Sequence, residues 1–185
     1  MRFVCLLVVA LALRGEQVVI ETTVGEIRVA LDEKRAPRTV ANFLRYVDAR
    51  IYDGARFHRT VTMANQPDNR IKIEVIQAEI DPSREKEEFA AIPLEQTSKT
   101  GLRHVDGAIS MARDGPDTAT SSFFICVGTQ PSLDFGGKRN PDGQGFAAFG
   151  HVVEGMDVVR KIHQSKAKAQ ALDPPIGILH VRRAR

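Results

Sequence analysis

Few side chains in this 185-residue chain have both the type and the spacing for chemistry. Arg59 closes the run Arg56-Phe57-His58-Arg59. Its guanidinium is planar, permanently charged and able to present several N–H donors at once, which an ammonium group cannot do. The five histidines, His58, His104, His151, His163 and His180, show no metal-ligand spacing with one another or with Cys126, so no metal site is expected. The segment from Lys138 to Phe149 carries Asn140, Asp142 and Gly143 in the manner of a calcium loop, but Lys138 and Phe149 stand where its first and last carboxylates are needed. The glycines between Gly136 and Gly145 do not lie between a strand and a helix, so they read as a surface loop and not a phosphate cradle. Ser121 and Ser122 have no base in a recognisable nucleophile motif, which argues against a hydrolase. The plain alternative for any one arginine is a surface or ion-paired role, and the flanking Phe57-His58 argues for a site instead.

The elements that must position these groups follow from periodicity. Gln17 to Thr23 and Glu26 to Leu31 are β-rich runs broken by Val24-Gly25, an opening hairpin in which Ile27, Val29 and Leu31 alternate with polar or small residues. Pro37 suits a first helical turn, and Val40, Phe43, Leu44 and Val47 follow at helical spacing, which predicts a helix of about four turns ending near Arg50. From Phe57 onward short apolar stretches, Ile71 to Ile76, Ala108 to Ala112, Phe123 to Val127 and Phe146 to Val153, alternate with segments rich in Pro, Gly, Asn and Asp, as in a barrel or sandwich. A second helix is expected over Gly155 to Gln164, where Met156, Val159 and Ile162 share a face. Ile176 to Val181 is a last strand, placed to close a barrel against the first.

Bulk properties bound the rest. With 43% hydrophobic residues, 26% charged residues of mixed sign and a net charge of +3, the chain reads as one globular domain. There is no basic stripe interleaved with aromatics, so no nucleic-acid partner is expected, and Arg182-Arg183-Ala184-Arg185 reads as a solvated tail. Arg2, the apolar run Phe3 to Leu13 and the small-x-small Ala10-Leu11-Ala12 predict a signal peptide over residues 1–12, with residues 13–185 as the mature domain. An apolar first strand is the alternative reading of that run. It is too short to span a bilayer, so no stable membrane insertion is expected after cleavage. Cleavage would leave Cys126 as the lone cysteine, compatible with an oxidising compartment and incapable of an internal disulfide.

Four stretches together resemble the cyclophilin family: Arg56-Phe57-His58-Arg59, Gly107-Ala108-Ile109-Ser110-Met111-Ala112-Arg113, Ser121-Ser122-Phe123-Phe124-Ile125, and Phe149 to Val159. The resemblance runs from about Gln17 to Val181. It implies a closed eight-stranded antiparallel β-barrel capped by two α-helices, no cofactor, and peptidyl-prolyl cis/trans isomerase activity on proline-containing polypeptides by a chain that is usually a monomer. Together with the signal peptide it implies work on exported clients, in the bacterial periplasm. By the same resemblance Arg59 is the catalytic residue. Val75, Phe124, Leu133 and Phe146 line the proline pocket, Gln77 binds substrate backbone, and Ala112 and Ser122 meet the peptide along the groove.

The pattern also departs from the family. Glu74 stands where an aromatic is usual, Ala78-Glu79 where Gly-Gly follows the glutamine, Ser122 where glutamine is common, Arg113 where many members have asparagine, and Ser132 in the place of a tryptophan. Thr62 to Arg70 reads as an insertion. These changes leave open a second reading, a weakly catalytic or non-catalytic module that holds X-Pro segments, and a more distant one, a structural domain of an envelope assembly.

Overall fold

The computed structural model describes residues 15–184, so the expected signal peptide, Cys5 within it and Arg185 lie outside the described residues. Strict alternation makes the opening hairpin. Val18, Ile20 and Thr22 of β1 (Gln17–Thr22) and Ile27, Val29 and Leu31 of β2 (Gly25–Leu31) turn one face inward, paired in register from Gln17–Ala30 to Thr22–Gly25. Helix α1 (Pro37–Asp48) buries Val40, Phe43, Leu44 and Val47, as its spacing predicts. Its N-cap residue, Ala36, has no capping side chain, and Glu95 supplies the missing acceptor from another loop, taking the N–H groups of Arg38 at 3.2 Å and Thr39 at 2.8 Å. The helix stops at Asp48, two residues short of the expectation, because Arg50 adopts a left-handed conformation with φ 57°.

The remaining elements are β3 (Arg56–Val61), β4 (Val75–Glu79), a one-turn α2 (Thr97–Thr100), β5 (Ala108–Met111), β6 (Phe123–Cys126), β7 (Ala147–Glu154), α3 (Met156–His163), β8 (Ala167–Lys168) and β9 (Ala171–Arg183). Two 3-10 turns, Pro82–Glu87 and Pro131–Leu133, lie between them. The strands run β1-β2-β7-β5-β6-β4-β3-β9, and a β1–β9 pairing closes these eight into a barrel, with the two-residue β8 attached only to β9. Every pairing is antiparallel. Inside, Phe43 is the hub of an aromatic cluster, its ring centroid 5.2 Å from those of Tyr52 and Phe149 and 5.5 Å from that of Phe123. Helix α1 covers β7 and β9, and α3 covers β2, β3 and β4.

Two expectations need correction. The strand predicted over Ile71 to Ile76 begins only at Val75, because Gln66 takes the backbone ahead of it: its Nε2 donates to Ile73 O at 2.7 Å and its Oε1 accepts Ile73 N–H at 3.3 Å. Nor are Arg182 and Arg183 a free tail. Arg182 and Arg183 end the closing strand and pair with Asp53 and Asp48, each with a nitrogen–oxygen contact of 2.7 Å.

Candidate active site

The period of two along the strands separates two apolar groups. Ile76 and Ala78 of β4, Phe123 and Ile125 of β6, and Ile109 and Met111 of β5 point into the barrel. Their alternates Val75, Phe124, Cys126 and Ala108 point outward and form a second, smaller cluster with Val61, Ile73 and Leu133, against which Ala112 and Phe146 pack. This outer cluster is the floor of a groove of about 360 Å³. Every candidate from the sequence lines it: Arg59, Val75, Gln77, Ala112, Ser122, Phe124, Leu133 and Phe146. Ile73, Asp114 and Arg139 line it as well and were not anticipated, and so does Arg113, one of the positions where the sequence departs from the family. Glu74 and Ser132, the two clearest losses of an aromatic, do not line it, and Ile73 supplies apolar surface beside Val75.

Arg59 reaches this face through a backbone irregularity. In β3, Phe57 pairs with Ala78 and Arg59 with Gln77, so His58 is an extra residue bulged out of the ladder. Without the bulge, alternation would put Arg59 on the side of Phe57, inside the barrel; with it, the guanidinium lies on the groove face beside Gln77. Two uncharged acceptors then fix it. Gln77 Oε1 accepts from Nη1 at 2.9 Å, and Gln170 Oε1 accepts from Nε at 2.9 Å and from Nη2 at 2.5 Å. Gln170 in turn donates to Asn65 O at 3.2 Å, and the Asn65 amide donates to Thr60 O and Ala169 O, both at 3.0 Å. The inserted segment thus braces the turn that carries Gln170. Because both acceptors are amides, the arginine is oriented without being neutralised.

The floor has its own support. Phe146 meets Phe124 edge-on with centroids 5.3 Å apart, and His104 stacks beneath Phe124 at 5.9 Å. His104 is fully buried between Asp134 Oδ1 at 2.8 Å and Ser110 Oγ at 3.0 Å, which ties the loop bearing Leu133 to β5. Burial pushes the Asp134 carboxyl up, but the hydrogen bonds from His104 and the charges of His104 and Arg103 outweigh it and hold its pKa below the usual carboxylate value. Arg113 clamps Asp142 at 2.8 and 3.0 Å, donates to Gly145 O, and lies 5.2 Å from the centre of the Phe146 ring. His58 is held below its ordinary pKa by burial and by the Arg59 and Arg56 charges, against the opposing pull of Glu79.

A closed eight-stranded antiparallel barrel is the architecture that the resemblance implied. The family described as cyclophilin type peptidyl-prolyl cis-trans isomerase/CLD matches residues 17–183, and the chain belongs to it. Among its relatives, peptidyl-prolyl cis-trans isomerase A of Dickeya dadantii is 36% identical over 154 residues, covering 83% of this chain and 74% of that protein. Peptidyl-prolyl cis-trans isomerase B of Escherichia coli is 34% identical over 146 residues, covering 78% of this chain and 82% of the other. In fold it is similar to the crystal structure of a Cryptosporidium parvum cyclophilin type isomerase in the presence of the dipeptide Ala-Pro, with TM-score 0.70, 21% identity and coverage of 91% of this chain and 99% of that one.

Proposed function

We propose that the protein accelerates rotation about X-Pro peptide bonds, with Arg59 as the catalytic residue. Resonance in the C–N bond sets a barrier of ~18–20 kcal/mol, and no bond need be broken to cross it. The catalyst must hold the proline ring, let the preceding carbonyl swing, and favour the twisted state in which the nitrogen lone pair is localised. Val75, Phe124, Leu133 and Phe146 would seat the ring, Gln77, Ala112 and Ser122 would bind the flanking peptide, and Arg59 would donate to the twisted amide. The observation that carries this reading is the Arg59 guanidinium, aimed along the groove face by two neutral glutamines.

The deciding experiment compares Arg59→Lys with wild type in kcat/KM for an X-Pro peptide, peptide affinity and thermal melting. Lysine keeps the charge but loses the fork. A transition-state donor of this kind is worth ~2.7–4 kcal/mol, so the rate should fall on the order of a hundred-fold while affinity and melting temperature stay close to wild type. Near-wild-type turnover in the lysine variant would remove Arg59 from the mechanism. Wild-type binding without turnover would favour the module that only holds X-Pro segments.

The proposal extends to exported clients and the bacterial periplasm, with residues 1–12 removed and residues 13–185 working as a single monomeric domain. Its support is the apolar leader with its small-residue pair. Cys126 is compatible with that setting: burial, with Asp134 and Asp106 nearby, pushes its thiol far above the ordinary range and keeps it unreactive.

A further inference from the structure

Three arginines line the groove, Arg59, Arg113 and Arg139, and they are not equivalent. Arg113 is spent: Asp142 and Gly145 O take its donors, and its side chain is 1% exposed. Arg59 is oriented by amides alone. Arg139 gives one N–H to the carbonyl of Ile71, Nη1 to O at 2.7 Å, and forms no ion pair among the described residues. Asp114, the one carboxylate that lines the groove, pairs with neither of these two. Burial lowers the pKa of both, and the charge of Arg139 lowers that of Arg59 further. A half-buried pair of like charges with unused donors on a substrate groove is stabilised by any ligand that brings a negative charge between them.

We infer that Arg139 is a specificity residue, and that the groove selects proline segments carrying a carboxylate side chain, Asp or Glu, within two residues of the proline. The inference rests on the isomerase reading. Arg139 lies six residues beyond Leu133 and seven before Phe146 in the loop whose two ends supply these pocket walls, so an acidic side chain can reach it while the ring stays on the floor. Among the described residues Nη2 and Nε of Arg139 have no hydrogen-bond partner, and they offer the two parallel donors that a carboxylate accepts. A neutral or basic segment would leave both guanidinium charges of the groove lining without a counter-charge.

The test uses proline peptides in matched pairs with Glu or Gln at each of the two positions before and the two after the proline. NMR exchange measures kcat/KM relative to the uncatalysed rate, and NMR titration measures Kd. The full mature chain is compared with Arg139→Gln and Arg139→Lys. At one or more positions wild type should prefer Glu over its Gln twin, on the order of three- to ten-fold at low salt. That ratio should collapse towards one in Arg139→Gln, persist in part in Arg139→Lys, and vanish in about 1 M salt, where the screening length is ~3 Å. A Glu/Gln ratio of one at all four positions overturns the inference, as does a preference that survives in Arg139→Gln. The Gln peptides report separately on the isomerase reading. If none of them is turned over, that reading falls, and the Kd ratios still decide whether Arg139 selects acid.

Discussion

Gln170 takes two nitrogens of Arg59 and Gln77 a third, so three of the guanidinium's donor directions are set before any ligand arrives. Gln170→Leu is nearly the same size and removes the larger share of that restraint. A hydrogen bond to a charged group contributes ~1.5–3 kcal/mol, so kcat should fall about ten-fold or more as the arginine swings free. KM and melting temperature should stay close to wild type, since the apolar floor is untouched. An equal loss in KM and kcat, or a collapsed melt, would make Gln170 part of the scaffold and not a positioning residue. Arg59 was legible in the sequence because an aromatic and a histidine stand beside it within a known motif. Gln170 was not, because it lies 111 residues away and nothing local marks it. Arg139 escaped for a related reason: it sits in a glycine-rich loop that composition alone describes as surface.

Helix α3 sits close on the opening hairpin through one glycine. Gly155 has φ 90°, and a Cβ there would lie 2.3 Å from Glu26 O and 3.0 Å from Ile27 Cα. Both neighbours are backbone in β2 and cannot turn away. Gly54, with φ 80°, has nothing within 4 Å of the same position, so it isolates the conformational part. A non-glycine residue in this backbone region costs ~1–3 kcal/mol. Gly54→Ala should show that loss alone, whereas Gly155→Ala should lose a further ~1–3 kcal/mol from the clash. Thermal melts of the two variants give the comparison, and equal melting temperatures would mean that α3 is not seated on β2 as described. At this scale the hairpin, both capping helices and most strands were readable from period and punctuation. The bulge at His58 was not, since a period of two counts residues and cannot register one that leaves the ladder. That irregularity is what turns Arg59 out of the core and into the groove. The shortened β4 has a similar origin, in Gln66 competing for backbone that propensity assigns to a strand.

The whole barrel was legible because four motifs in order specify a topology that eight separate strand assignments do not. The groove floor was not legible from hydrophobicity, as Val75 and Phe124 are as apolar and nearly as buried as true core residues, at 3% and 4% exposed. Only the closed sheet gives them an outside. The export proposal belongs to this scale too. N-terminal sequencing of the protein from its native host should read from Leu13, and an intact Met1 in a soluble cytosolic fraction would remove the signal peptide.

The strand that completes the ring is the last one, and it pairs with the first: Val18 to Glu21 of β1 lie opposite Arg183 to His180 of β9. A chain emerging from the ribosome can form the β1–β2 hairpin at once, yet its other edge stays unpaired until residues 171–183 arrive. During that interval Val18 and Ile20, fully buried in the finished barrel, have no lid, and the free edge is open to other chains. For a polypeptide threaded through a membrane as we propose, this delay is useful, because a nascent chain that cannot shut remains a thread. On that proposal the β9 strand would be the latch on a vectorial process, and in any setting the order of residues along the chain schedules when the barrel can close.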